Sequence, residues 1–359
     1  MDYSRHRHWL SSARRNFFDD VGIKRRPPES CPSNDDVTAL QKGTLMDDNA
    51  DGPKVNRRHA LECMLWAGTG VLWTVAGGVP KSLSLLDDAE AAAAATSGFT
   101  FMQISDSHVG FDKPANPHAL DTLKEAVGRI DALPAKPAFL LHTGDITHSA
   151  KPAEFDDANQ IIGGTGLNVH YVPGEHDITD ETTEKAYLER YGKGTKGGGW
   201  YSFDANGIHF VGLNNVVNLK QFGLGYLGPE QLEWLEDDLR PLKSSTPIVV
   251  FAHIPLWSIY PTWGWGTDDA AVALGYLKRF GSVTVLNGHI HQLMQKVEGN
   301  VTFHTARSTA FPQPAPGAAP SPGPLRVPAD KLRSVLGVTS VAFKRNNSPL
   351  AITDASLAD

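Results

Sequence analysis

From residue 98 onward, short apolar runs alternate with stretches whose apolar positions recur every three to four residues, the mark of strands alternating with amphipathic helices. Apolar runs at Phe99–Ile104, Ala138–His142, Val169–Val172, Pro247–Ala252 and Val283–Leu286 predict strands. Leu120, Leu123, Val127 and Ile130 share one face of a predicted helix over His118–Leu133. Further helices are predicted at Pro152–Ile162, Thr182–Tyr191, Pro229–Leu239 and Asp269–Phe280. Trp200–Asp204 and Ile208–Leu213 flank Asn206-Gly207, a hairpin signal, and Leu293–Val297 and Val301–Thr305 flank Gly299-Asn300 in the same way. A short helix, Ala329–Leu336, leads to an expected edge strand at Thr339–Phe343. The alternation predicts an α/β fold.

The segment before residue 98 follows another pattern. Residues 1–55 are charged, proline-bearing and poor in apolar runs, which predicts a disordered extension. Residues 56–95 carry Arg57-Arg58, then an uncharged, moderately apolar stretch from Cys63 to Pro80, then Ala91–Ala95. That order resembles a twin-arginine export signal, and it predicts an exported, periplasmic or secreted protein, membrane-anchored if the signal is retained. A buried or amphipathic helix is the alternative. Translation from Met46 instead of Met1 would place the arginine pair close to the start. An enzyme domain is expected over 96–311, followed over 312–359 by a Pro-rich segment and a C-terminal element packing on it.

Composition narrows the function. Hydrophobic residues make up 41% of the 359, enough to bury a core, so global disorder is excluded. Cys31 and Cys63 form no Cys-x-x-Cys pair, which excludes a zinc-finger or disulfide scaffold. A formal charge of −7 excludes a bulk electrostatic grip on nucleic acid, so no stable nucleic-acid complex is expected, and membrane contact is expected only through the signal segment. A small phosphate ester held in a pocket, a nucleotide among the candidates, stays open. The oligomeric state is not legible.

Chemistry concentrates where strands end. Five predicted strands run into Asp106-Ser107-His108, Gly144-Asp145, Gly174-Glu175-His176-Asp177, His253 and Gly288-His289-Ile290-His291. The carboxyl ends of strands in an α/β sheet form its ligand crevice, so these side chains should meet on one rim. Imidazole and carboxylate donors without thiolate suit Mn, Fe, Zn or Co. The glycines before Asp145, Glu175 and His289 permit tight turns and close backbone approach.

In order and spacing these motifs resemble the calcineurin-like metallophosphoesterases, whose pattern is D-x-H, G-D, G-N-H-[DE], H and G-H-x-H, over about residues 99–306. The resemblance implies a four-layer α/β/β/α sandwich and a binuclear centre of divalent or mixed-valence metal ions. It implies Asp106, His108 and His291 on the first metal, Asp145 bridging, and Glu175, His253 and His289 on the second. His176 would protonate the leaving group or stabilise the transition state, and Asp177 would orient it. The implied activity is phosphoric ester hydrolysis by metal-activated hydroxide. One departure stands out: the family has Asn where this chain has Glu175. An added negative charge should weaken attraction for a phosphate dianion, and three readings follow: a phosphodiester substrate, which fits the charge argument, a more highly charged metal such as Fe(III), or a weakened second site. A phosphomonoesterase, or a catalytically weak metal-binding scaffold, are the alternatives.

Other residues carry two readings each. His148 replaces the tyrosine of purple acid phosphatases and either contacts substrate or sits in a solvated loop. His304 either reaches the rim or is structural, and Arg307 either forks a phosphate or pairs on the surface. Trp263 and Trp265, in the aromatic loop after His253, either wall the substrate or pack on their own loop. His118, His142, His170 and His209 are expected to be structural.

Overall fold

The computed structural model describes residues 74–76, 79–81, 99–343 and 350–359. Thr74–Ala76 (β1) and Val79–Lys81 (β2) pair as a small antiparallel ribbon. The rest of the expected extension and signal segment lies outside the described residues. Among the described residues, no helix is long and apolar enough to cross a membrane.

Two sheets form the centre. One has five strands in the order β13-β12-β3-β4-β5, with β3 (Phe99–Ile104), β4 (Leu140–His142) and β5 (Val169–Tyr171) parallel. The other has six in the order β10-β11-β9-β8-β7-β6, with β7 (Ile208–Gly212), β8 (Ile248–Phe251), β9 (Val283–Asn287) and β11 (Val301–Thr305) parallel. β6 (Tyr201–Ala205) and β10 (Met294–Glu298) are antiparallel edges closed by the two predicted hairpins.

Period-two alternation sorts side chains between layers. Val249 and Phe251 of β8 point between the sheets, and Ile248 and Val250 point to the outer face. The inter-sheet core is aromatic: Phe101 stacks on Phe139 at 5.1 Å and meets Phe210 edge-on at 5.2 Å. On the five-stranded side, α1 (Ala119–Asp131) and α2 (Pro152–Gly163) cover Met102, Ile104 and Leu140. On the six-stranded side, α4 (Pro229–Leu239) and α5 (Ala270–Leu277) cover Val250 and Val285. Helix, sheet, sheet and helix make the four expected layers. Between α2 and α4, α3 (Glu181–Tyr191) begins with Asp180, whose carboxylate accepts the Thr183 N–H at 2.8 Å as an N-cap. A last helix, α6 (Ala329–Val335), precedes the C-terminal strands.

One expectation fails. The predicted edge strand is β12 (Gly337–Phe343), which lies inside its sheet between β3 and β13. The edge is β13 (Ala351–Ser356), which the sequence reading omitted. Its run Ala-Ile-Thr-Asp-Ala-Ser holds one large apolar residue, and its partly buried Asp354 is held by pairing with His304 across the sheets rather than by hydrophobicity.

Candidate metal centre

All five motifs emerge at the carboxyl ends of parallel strands, three from one sheet and two from the other. Backbone bonds lace the ends together: Asp106 N–H donates to Gly144 O at 3.0 Å and Gly288 N–H to His253 O at 3.0 Å. The His289 N–H donates to the Asp106 carboxylate at 3.0 Å. Asp106, His108, Asp145, His289 and His291 all have positive φ, between 40° and 69°. Non-glycine residues rarely hold that conformation, and five in one rim mark backbone strain retained at a functional site. Gly174 has no room for more than hydrogen: a Cβ there would lie 2.1 Å from Asp145 Oδ1.

The donors fall into two sets that share an edge. Asp106, His108, Asp145 and His291 bring one ligand atom each within 4.8 Å of the others, and so do Glu175, His253 and His289. Asp145 Oδ2 lies 3.3 Å from His108 Nε2 and 3.5 Å from His253 Nε2, which places it between the sets. His108 Nε2 and His291 Nε2 face each other at 3.2 Å. Glu175 spans the second set, with one oxygen 2.8 Å from His253 Nε2 and the other 2.9 Å from His289 Nδ1. His253 Nε2, Glu175 Oε2 and both His289 ring nitrogens are buried without a hydrogen-bond partner among the described residues. Buried polar atoms left so converge only where something else satisfies them. Nitrogen and oxygen donors, orphaned and aimed inward, fit a pair of divalent or mixed-valence ions.

The outer contacts fix each ring. His253 Nδ1 contacts Thr143 O at 2.7 Å and His291 Nδ1 contacts Phe311 O at 2.5 Å, leaving Nε2 of both for the centre. Phe311 also stacks on His108 at 4.7 Å, and Gln313 Nε2 donates to His289 O at 2.9 Å. Thr143 and Phe311 were missed in the sequence, since a carbonyl acceptor leaves no residue-type signal, and Gln313 because it lies 24 residues past His289 and outside every motif.

Neighbouring charges outweigh burial within the cluster. Burial alone would raise the Asp106 carboxyl, but His291 and His253 outweigh it and hold it below the usual range. Burial would likewise raise Glu175, and His289 and His253 hold it well below. Burial opposes protonation of His253, yet Asp145 and Glu175 lift it well above the usual imidazole range.

His176 stands at the open side. Its Nδ1 contacts the His148 carbonyl at 2.8 Å, and its backbone N–H donates to Asp145 Oδ1 at 2.9 Å. Burial disfavours its cation, but Asp145, Glu175 and that carbonyl raise it above the usual range. Asp177 does not orient the His176 ring as expected. Its carboxylate accepts the backbone N–H groups of Ile146, Thr147 and Gly174 at 3.1, 2.8 and 2.9 Å, so it ties the Asp145 turn to the Glu175 turn. Burial and the nearby Asp145 charge push it up to about 6 despite those bonds.

Of the remaining residues, only His148 joins the centre. It is half-buried and stacks on His176 at 4.9 Å and 17°. His304 takes its structural reading: it is fully buried and its Nε2 contacts Asp354 at 2.9 Å across the two sheets. Arg307 is partly buried in the field of Asp354 and Asp359, away from the centre and without a direct ion pair to either. Trp263 and Trp265 are buried against Ile290 and Met294, so these two take the packing reading and do not wall the substrate. His209 is structural as expected, between Asp204 and Asp238.

A family model described as calcineurin-like phosphoesterase matches residues 99–293. The chain is 24% identical over 218 residues to a 3′,5′-cyclic-nucleotide phosphodiesterase of Nostoc sp., covering 58% of this chain and 77% of that one. It is 26% identical over 227 residues to a serine/threonine-protein phosphatase of Danio rerio, covering 54% of this chain and 70% of that one. Among solved structures, a dimetal phosphatase from Danio rerio superposes with a TM-score of 0.54 at 14% identity, over 72% of this chain and 96% of that one. A purple acid phosphatase from yellow lupin seeds gives 0.52 at 14% identity, over 73% of this chain and 52% of that one. At such identities the two structures speak for the fold alone.

Proposed function

The chain belongs to the calcineurin-like phosphoesterase family and is a phosphoric ester hydrolase, and from that premise we propose that it is a phosphodiesterase with a binuclear metal centre. The observation that carries the diester choice is the Glu175 carboxylate lying between His253 and His289. It adds a full negative charge to a rim that already holds Asp106 and Asp145. A diester presents one negative charge at neutral pH and a monoester about two, so the added carboxylate disfavours the monoester more. Relatives support the same reading: the Nostoc protein is named for cyclic nucleotides, and a matching Arcobacter protein is named a probable glycerophosphodiester phosphodiesterase.

Asp106, His108, His291 and Asp145 would hold one ion, and Asp145, Glu175, His253 and His289 the other, each being Mn, Fe, Zn or Co. Bound there, the ions would supply Lewis acidity toward phosphoryl oxygens and acidify a coordinated water. The chain supplies the rest. Asp106 and Asp145, held by backbone N–H groups of the facing motif, keep the two donor sets in register. His176 donates through Nδ1 to the His148 carbonyl, so it is the imidazolium form that would carry a second proton, on Nε2, for the leaving alkoxide. The substrate is a small phosphodiester, with a 3′,5′-cyclic nucleotide the first to try. We also infer export, from Arg57-Arg58 and the apolar stretch after them; the mass of the N-terminal peptide in the extracytoplasmic fraction tests it.

The test is hydrolysis of bis(p-nitrophenyl) phosphate, p-nitrophenyl phosphate and 3′,5′-cyclic AMP by full-length protein loaded separately with Mn, Fe, Zn or Co. Faster turnover of a diester than of the monoester is expected. Preference for the monoester overturns the diester reading and leaves the family untouched.

A further inference from the structure

His148 lies outside the two donor sets, as His176 does, with one ring nitrogen within 4.8 Å of a ring nitrogen on each of His108 and His176. Three contacts define it. Its Nδ1 lies 3.3 Å from His108 Nδ1, its ring stacks on His176, and its edge meets Phe111 at 5.1 Å and 90°. The tautomers follow from the far side of His108. His108 Nε2 faces Asp145 Oδ2 and His291 Nε2, at 3.3 and 3.2 Å, so a ligand role requires its lone pair there. The His108 proton then sits on Nδ1, and a buried N–H needs an acceptor. His148 Nδ1 is placed to accept it, which puts the His148 proton on Nε2. The other two Nε2 ligands, His253 and His291, have backbone carbonyls in that place. His108 has a side chain.

We propose that His148 is a positioning residue: the Nδ1 of its neutral ring accepts the His108 Nδ1–H and so fixes the tautomer and orientation of a metal ligand. The inference rests on the reading of His108 as a ligand. A side-chain acceptor makes this the one outer contact of the first donor set's imidazoles that a single substitution can remove without disturbing the backbone. Its second function is mechanical. The same residue gives its carbonyl to His176 Nδ1 and its ring to the His176 face, so one loop position seats both a metal ligand and the proton donor.

Two substitutions separate the acceptor from the ring. His148→Phe keeps a ring against His176 and removes the acceptor. His148→Asn keeps an acceptor atom near the Nδ1 position and removes the ring. Full-length protein, stripped of metal, is titrated with Mn(II) by calorimetry, and kcat and KM are then measured at saturating Mn(II). Loss of such an outer contact costs about ten- to a hundredfold in metal affinity. That loss is expected at one of the two Mn(II) equivalents in His148→Phe, with His148→Asn within about threefold of wild type. Wild-type affinity in His148→Phe overturns the proposal. Equal loss in both variants overturns it too, since the ring and not the acceptor would then matter. A wild-type protein that binds no Mn(II) overturns the ligand reading beneath it. Independently of any variant, nitrogen-15 NMR of the zinc-loaded wild type should find His108 protonated at Nδ1; protonation at Nε2 overturns the proposal even if His148→Phe does not fold.

Discussion

His304 and His209 lie inside strands, and each has a carboxylate 2.9 Å from a ring nitrogen. His253 and His289 lie past strand ends, and they share a single carboxylate, Glu175, between them. The strand imidazoles have regular backbone and stable partners. Of the rim imidazoles, His108, His289 and His291 have left-handed backbone, and His253 and His289 crowd onto one carboxylate without a well-formed hydrogen bond to it. The difference separates histidine that completes a fold from histidine that a fold holds ready. In the strand, a neighbouring Asp offsets the cost of burying the ring. At the rim, tight turns and close glycines crowd the rings edge-on or tilted against one another, at a cost that only a bound ligand recovers.

The contrast is open to breakage, and the largest effect is expected at its centre. Asp145→Asn removes the carboxylate that both donor sets share. Several kcal/mol of transition-state stabilisation should go with it, so diester turnover should fall by about a hundredfold or more while the melting temperature changes little. Turnover within tenfold of wild type would mean that the two sets do not act together. Asp354→Ala strips His304 of its partner and should show the opposite profile. Removing the partner of a buried hydrogen-bonded ring costs about 1–3 kcal/mol, read as a drop in the urea midpoint, with kcat per folded molecule unchanged. A kcat loss at constant stability would move His304 into the rim group.

Glu175→Asn tests the charge of the rim. Removing a unit charge about 10 Å from a phosphate, at an effective dielectric near 20, changes its energy by about 1.7 kcal/mol. The ratio of monoester to diester turnover should therefore rise about tenfold. An unchanged ratio would show that the carboxylate is neutralised in the working centre and that charge does not select the substrate.

The rim was legible because its chemistry is local in sequence. Each motif follows an apolar run, and the end of a parallel strand has only one rim to reach. The second partners were not legible. Asp177 neighbours His176 in sequence, yet the turn aims its carboxylate at the N–H groups of residues 146, 147 and 174. Trp263 and Trp265 read as a platform because an aromatic loop after a ligand has no period to betray burial; Ile290 and Met294 decide it, from 25 or more residues away. β12 reads as an edge because β13 pairs through a partly buried Asp that hydrophobic patterning cannot register.

The smallest effect tests the strand group at its exposed end. His209 has its two ring nitrogens on Asp204 and Asp238, each at 2.9 Å. Burial opposes its cation, but the two carboxylates outweigh burial and raise it above the usual imidazole range. A group whose folded pKa exceeds its unfolded value stabilises fully below the unfolded value and loses that contribution as pH rises through the folded one. The contribution is therefore full below about pH 6.5 and is lost as pH rises through the raised folded value. Asp204 is 76% exposed, so solvent screens half of the arrangement and the contribution should be under about 1 kcal/mol. His209→Gln should therefore be less stable than wild type at pH 6, with the gap closing by pH 9 and narrowing in concentrated salt. A gap that widens with pH would show that the neutral ring, packed in its strand, is what stabilises. The strand imidazoles would then owe their place to shape rather than charge.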